Sequence, residues 1–376
     1  RSPMPKSHGS KKRERKKRIY VSDIHMGAGR SFKPNCGCHV YDWFGPKEAK
    51  NFSKFLDFLM ESADVEEAIL LGDTMDNWVC PVDEIPPTFE EIVQADVNRE
   101  VVQSLKALAK HKAVKLIYMP GNHDMSIAEK FVTETFPGIV FGGSAARKSA
   151  YRSSRLLAEH GSAYAMFNTP DPINNPGSRL PIGYFISRVA ATQAARTGHA
   201  DRHFWTYADD MLEMLGPQKM PQAVFEAVLE EADLPGDVEI KMAPVGGQPT
   251  SIRADLVKER YANLYEQWQF NYGPGMAFKS VMAEIGYLGD LADYLSKKMD
   301  TNIVIFGHSH ESELDKDSWF LKEKRIYANC GAWCDEAERC TFVETEKCEE
   351  TRKHYVRLKW WNGKNAELLK EEYVER

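Results

Sequence analysis

The sequence predicts an α/β protein: a layered sheet flanked by helices, with an inserted, mostly helical cap. Three observations predict it. Strand-length apolar runs alternate with amphipathic stretches through the first third of the 376 residues. A Pro-rich break near residue 167 then opens a long helical stretch. Apolar strand-like runs resume near residue 300.

The first strand is expected at 18–22, ending in Asp23-Ile24-His25. In an extended segment residues i and i+2 share a face, so Asp23 and His25 can reach one ion together. The loop that follows carries Gly27, Gly29, Arg30 and Lys33 beside that pair, and Arg30 is a candidate substrate-binding residue. Residues 47–61 place Ala49, Phe52, Phe55, Leu56 and Leu59 at helical spacing. A second strand, 67–71, stops at Gly72-Asp73-Thr74-Met75-Asp76. Asp73 is placed to bridge two cations with its two oxygens, and Asp76 to orient and polarise an imidazole. A helix at about 98–112 leads into the apolar run 114–119 and Gly121-Asn122-His123-Asp124. That motif sets a neutral amide oxygen, an imidazole and a carboxylate at a sheet edge, suited to metal ligation by Asn122 and proton transfer by His123.

Residues 151–158 read as one further strand, ending in Glu159-His160-Gly161. The text then changes. Thr169-Pro170-Asp171-Pro172, Pro176 and Pro181 precede helical patterns at 222–233 and 253–270, and Gly273-Pro274-Gly275 separates these from another at 277–299. The block is too long for a loop, so 167–299 is expected to be a cap, with His199, His203, Trp205 and Trp268 as candidates to line a substrate groove. The body, 19–166 and 300–376, resumes with a buried strand at 302–306 that ends in Gly307-His308-Ser309-His310. Closing strands are expected at 325–329 and 354–361.

Composition sets further bounds. Residues 1–18 carry nine Lys or Arg against Glu14 alone, a balance of +8 that leaves −14 for the rest of a chain whose net charge is −6. A basic disordered tail is expected there, and the acidic body argues against broad nucleic-acid binding. No run approaches the ~18 apolar residues of a membrane span, and no apolar stretch follows the N-terminal charges, so the expected location is the cytoplasm, with peripheral membrane contact left open. The seven cysteines, Cys36, Cys38, Cys80, Cys330, Cys334, Cys340 and Cys348, lack paired C-x-x-C spacing and are expected to be buried free thiols.

Five strand ends thus deliver metal-ligating side chains: Asp23 and His25, Asp73, Asn122, His160, then His308 and His310. They supply enough ligands for two divalent cations sharing Asp73. This motif set resembles the calcineurin-like metallophosphoesterase superfamily over residues 19 to about 165 and about 300 to 332. The resemblance implies a four-layer α-β-β-α sandwich. It implies one cation held by Asp23, His25, Asp73 and His310, the other by Asp73, Asn122, His160 and His308. It also implies hydrolysis of a phosphate ester or pyrophosphate by metal-activated hydroxide, with His123 as general acid paired to Asp76 and Asn122 also touching substrate. Manganese heads the candidate metals, with iron, zinc and nickel as alternatives.

Asn77 and Asp124 stand where the superfamily's serine/threonine phosphatases carry Arg and Glu, which disfavours a protein phosphatase. Trp78 and the helical insertion are similar to the enzymes that cleave the pyrophosphate of UDP-2,3-diacylglucosamine, although those carry Arg where His123 stands. A phosphodiesterase or phosphomonoesterase acting on a small molecule, a nucleotide or a nucleotide-lipid stays open. The contrasting class is a metal-binding scaffold without catalysis, but loss of catalysis in the superfamily removes ligands or the catalytic His, and none is missing here.

Overall fold

Seven strands form the larger sheet of the computed structural model, which describes residues 16–198, 212–317, 324–334 and 337–376. Their order is Ala366–Glu375, Lys353–Trp361, Cys340–Cys348, Lys17–Val21, Val65–Leu71, Lys115–Met119 and Val140–Phe141. The last four run parallel, and the first three are antiparallel additions. A five-stranded sheet runs in the order Ser312–Asp317, Arg325–Cys330, Ile303–Phe306, Leu156–Glu159, Ala150–Ser153, its three middle strands parallel.

Alternation along the strands divides their side chains between two faces. Tyr20, Ile69, Leu71, Ile117 and Met119 of the larger sheet share one buried cluster with Leu156, Ala158, Ile303, Ile305, Ile326 and Ala328 of the smaller. On the larger sheet's other face, Ile19, Val21, Ala68 and Leu70 pack with Phe52, Phe55 and Leu56 of the helix Pro46–Glu61 and Leu105 of Arg99–Lys110. On the smaller sheet's other face, Val304 and Phe306 meet Leu288, Leu291 and Leu295 of the helix Leu288–Lys298. Burying each such aliphatic side chain contributes roughly 1.5–3 kcal/mol before chain entropy is set against it.

Register positions the site. Val21 pairs with Leu70 and Leu71 with Met119, so the loops beginning at Ser22, Gly72 and Pro120 leave the larger sheet at one edge. In the smaller sheet Ile305 pairs with Ala158 and Phe306 with Asn329, which brings His160 and Gly307 out together. A backbone bond from Trp333 N to Asp23 O (3.0 Å) ties the two edges, while Gly307 N to His160 O (3.0 Å) and Asp23 N to Gly72 O (3.1 Å) join neighbouring loops within the smaller and the larger sheet.

Several elements depart from the sequence reading. Residues 151–158 are a hairpin rather than one strand, Ala150–Ser153 pairing with Leu156–Glu159 around a two-residue turn where Ser154 takes a φ of 54°. The pattern at 253–270 is broken after Arg260 into the helices Ala254–Arg260 and Leu264–Tyr272. That at 277–299 is broken at Gly286, φ 106°, into Pro274–Glu284 and Leu288–Lys298. Apolar spacing carries across each break, so periodicity alone does not reveal it. Between the helices lies an unforeseen hairpin, Glu239–Val245 with Gln248–Arg253, and Cys340–Cys348 and Ala366–Glu375 join the closing strands. Cys36 and Cys38 are exposed and disulfide-bonded to each other, not buried thiols.

Residues 167–299 supply most of one buried cluster, including Phe167, Phe185, Phe225, Tyr261 and Val281, which they share with Trp78, Val82 and Met166. Arg188, fully buried on the helix Ile182–Thr197, donates to the carbonyls of Cys80 (2.6 Å), Pro81 (2.8 Å), Glu84 (2.7 Å) and Lys241 (2.6 Å) and to the Tyr184 hydroxyl (2.8 Å). It fastens the insertion to the loop after the second strand. Trp268 is buried within the insertion's cluster; His199, His203 and Trp205, like the tail 1–15, lie outside the described residues.

Candidate metal centre

The ends of five strands place Asp23, His25, Asp73, Asn122, His160, His308 and His310 in one cluster. Three sets could each hold an ion, with ligand atoms within 4.8 Å of one another: Asp23, His25 and His310; Asp73, His160 and His308; and His25, Asp73 and His123. In the first, His310 Nε2 lies 3.2 Å from Asp23 Oδ1 and 3.0 Å from His25 Nε2. In the second, His160 Nε2 lies 3.1 Å from Asp73 Oδ2 and 3.1 Å from Asn122 Oδ1. Ligand atoms about 2.1 Å from a common first-row ion stand roughly 3.0–3.4 Å apart, so these spacings suit shared coordination. His25 Nε2, 3.8 Å from Asp73 Oδ2, connects the two sets.

One atom tests whether cations fit. Asp23 Oδ1 is buried and makes no well-aligned hydrogen bond, facing His310 Nε2 at 3.2 Å and His25 Nε2 at 3.5 Å, while Oδ2 of the same carboxylate accepts from Ser22 Oγ (2.5 Å) and His308 N (2.9 Å). A buried carboxylate oxygen facing imidazole nitrogens in this way is the arrangement a cation completes. Backbone conformation points the same way. Among the described residues ten other than glycine have left-handed φ, and five of them are Asp23, His25, Asp73, His308 and His310, at 54–69°. Each such conformation costs on the order of 1–3 kcal/mol, and half of them fall on candidate ligands.

The ligands are held from behind. Asp73 Oδ1 accepts from His123 N (2.8 Å), and His160 Nδ1 donates to Leu71 O (2.9 Å), which leaves its Nε2 for the cluster. Asp124, noticed in the sequence only as part of a motif, is a backbone staple: its carboxylate accepts from Gly121 N (2.6 Å), Asp73 N (3.2 Å), Thr74 N (3.1 Å) and the Tyr118 hydroxyl (2.6 Å). Gly121 is required by close approach, since a Cβ there would fall on Asp73 Oδ1. Asp76 Oδ2 lies 2.8 Å from His25 Nδ1 and 2.9 Å from His123 Nδ1, and Oδ1 accepts from Trp78 N and Val79 N.

Electrostatics reflect a concentration of buried carboxylates. Burial opposes charge on every group here, yet Asp23 and Asp73 still raise His160 to about 9, and Asp23 and Asp76 raise His25 to about 10. Burial would lift Asp73, but His160, His123 and His25 bring it down to about 2. His308 goes the other way, lowered to about 3 by burial and by neighbouring His160. The cluster as a whole therefore favours positive charge at its centre.

Arg30 has other contacts. It grips Glu91 of the helix Phe89–Gln94 through Nε and Nη2, each at 2.9 Å, and donates to Ile85 O in the loop before that helix at 2.7 Å, so its guanidinium is committed to these two partners. Trp43 escaped the sequence reading. Its half-buried indole lies with ring centroids 4.8 Å from His25, 5.4 Å from His123 and 5.9 Å from His310. Trp78 stacks on His123 at 4.6 Å. The loop presenting Trp43 is folded by Ser31, whose hydroxyl donates to Asp42 and accepts from the N–H groups of Val40, Tyr41 and Asp42. Asn168 and Glu284, also unforeseen, lie behind Asn122.

No family model matches the sequence, and no curated protein does. Among solved structures, the chain is similar to a Streptococcus pneumoniae TIGR4 protein described as a predicted phosphoesterase, at 8% identity over 96% of this chain and 98% of that one, TM-score 0.30. It is also similar to Vps29 of Chaetomium thermophilum, at 7% identity over 96% and 98%, TM-score 0.31. A single mutant of Vps29 from Entamoeba histolytica aligns at 10% identity over 96% and 99%, TM-score 0.29. At such scores the alignments carry no weight for function, and the cluster's own geometry has to.

Proposed function

We propose that this protein is a calcineurin-like metallophosphoesterase that hydrolyses a phosphate ester. The fold is read as a four-layer α-β-β-α body, 19–166 and 300–376, with a cap inserted in 167–299; the helix Leu288–Lys298, expected in that cap, packs on the smaller sheet and is counted with the body as its outer layer. The observation that carries the activity is Asp73, set between two groups of ligand nitrogens, with the buried Asp23 Oδ1 in one of them. Asp23, His25, Asp73 and His310 would hold one divalent cation, and Asp73, Asn122, His160 and His308 the other, manganese being the first choice. Such a pair supplies charge neutralisation at phosphorus and acidifies a bound water.

The chain's own part is orientation and proton transfer. Asp76 Oδ2 accepts from the Nδ1–H groups of His25 and His123. His25 is thereby left with Nε2 toward the ligand cluster, and His123, when doubly protonated, with Nε2–H as the group that protonates a departing alkoxide. A pyrophosphate bond is the second reading, which rests on the resemblance of Trp78 and the helical stretch to the enzymes that cleave UDP-2,3-diacylglucosamine.

Hydrolysis of p-nitrophenyl phosphate and bis(p-nitrophenyl) phosphate with Mn²⁺, beside the chelated protein and His123→Ala, tests the proposal. Turnover that needs metal and falls about 10²–10⁴-fold in the variant supports it. Wild-type protein that binds two Mn²⁺ without any turnover would point to the scaffold class instead.

A further inference from the structure

We infer that Asn168 and Glu284 are positioning residues that set the direction of the Asn122 amide, so that its oxygen rather than its NH2 group faces the second cation. The inference rests on the two-cation reading above.

A neutral carboxamide is nearly symmetric in shape, and only its surroundings decide which end points where. Asn122 needs its Oδ1 on the cluster side, where that atom lies 3.1 Å from His160 Nε2. Its Nδ2 donates backwards to Asn168 Oδ1 at 3.2 Å, and Asn168 Nδ2 donates in turn to Glu284 Oε2 at 2.9 Å. The other Glu284 oxygen accepts from Phe167 N at 2.6 Å. In this arrangement both Glu284 oxygens accept, one from Phe167 N and one from Asn168 Nδ2. With an acceptor at the end of the row, Asn168 presents NH2 to it and oxygen to Asn122, and Asn122 then presents oxygen to the cluster. One carboxyl group, accepting at both oxygens, fixes both amides.

Glu284 sits where a structural residue would not be chosen. It is buried and is the last residue of the helix Pro274–Glu284, the end at which the helix dipole disfavours negative charge. Burial pushes its carboxyl up to about 8 against the pull of the Phe167 and Asn168 donors, so the direction it gives the row comes from the two donors its oxygens accept from and not from a standing negative charge. Space is kept for the relay as well, because a Cβ at Gly183 would stand 2.5 Å from Asn168 Oδ1. Since Glu284 and Gly183 belong to the insertion, the insertion reaches a metal ligand through two side chains.

The test is a Mn²⁺ titration by calorimetry of wild type, Asn168→Ala and Glu284→Gln, with a thermal melt of each. Wild type is expected to bind two ions. Asn168→Ala should keep one affinity and weaken the other by about 10–100-fold, the usual effect of losing a partner behind a ligand. Glu284→Gln keeps volume but offers N–H as well as C=O, so it should weaken the same ion by a smaller factor without a lower melting temperature. It decides the matter if Asn168→Ala does not fold. Both affinities within about threefold of wild type in a folded variant would overturn the relay, being well short of that usual range. Wild type that binds no Mn²⁺ would instead overturn the two-cation reading itself.

Discussion

Asp76 holds His123 through a 2.9 Å contact between Oδ2 and Nδ1, and the same oxygen lies 2.8 Å from Nδ1 of His25. One buried carboxylate oxygen thus orients two imidazoles, that of His25 among the candidate ligands and that of His123 beside them. Histidines 25 and 123 also pack edge to face at 4.7 Å, so neither ring can turn without displacing the other.

Asp76→Asn is expected to uncouple this pair. An amide offers one accepting oxygen where the carboxylate uses both, for two imidazoles on one side and the N–H groups of Trp78 and Val79 on the other. The NH2 group must then face N–H donors on one side. Turnover should fall about 10²–10³-fold, while the affinity of the His25 cation falls by only about tenfold. Steady-state kinetics at saturating Mn²⁺ beside a metal titration separates the two effects; equal losses in both would mean that His123 does not depend on Asp76.

How much of this was legible in sequence follows from where each residue's partners lie. Asp23, His25, Asp73, Asn122, His160, His308 and His310 each follow an apolar strand run directly, so the local text locates them, and parallel register brings them to one edge. Trp43 sits in a loop whose shape depends on Ser31 and Asp42. Asn168 and Glu284 meet across 116 positions. Neither has a local signal. The helical patterns at 253–270 and 277–299 were legible as apolar spacing but not in their parts, since the Ala262-Asn263 break and Gly286 interrupt helices without interrupting that spacing.

Trp43→Leu is expected to act on substrate binding. The indole lies beside the imidazoles of His25, His123 and His310 without replacing any ligand, so it is positioned to flank a flat leaving group at the mouth of the site. Losing an aromatic contact of about 0.5–1.5 kcal/mol should raise KM for p-nitrophenyl esters roughly two- to tenfold, with little change in kcat. The matched measurement on an alkyl phosphate should show no such rise. A fall in kcat with unchanged KM for both esters would place Trp43 in orienting the histidines instead.

Arg188→Met is expected to loosen the attachment of the insertion. The guanidinium is fully buried and its bonds are to four carbonyls and the Tyr184 hydroxyl, so the substitution leaves several oxygens without donors. Removing one side of such a network costs about 3–5 kcal/mol. A urea unfolding midpoint within error of wild type would show that the contacts contribute no net stability.

His354 gives the fold a pH dependence that can be read apart from the candidate metal site. It is buried in the strand Lys353–Trp361, and burial, reinforced by Lys347, Arg18 and Arg376, lowers it to about 4. In the unfolded chain a histidine titrates near 6.5, so between about pH 6.5 and 4 the unfolded state takes up a proton that the folded state refuses. Its contribution is therefore complete above about pH 6.5 and is lost as the pH falls, by up to about 1.4 kcal/mol per unit. His354→Gln should flatten this slope. Urea midpoints of wild type and variant at about pH 7 and about pH 5, both with chelator, isolate the difference, because the ligand histidines titrate alike in both proteins. Parallel loss of stability in the two would show that His354 is protonated in the folded state and that its cationic neighbours do not hold it neutral.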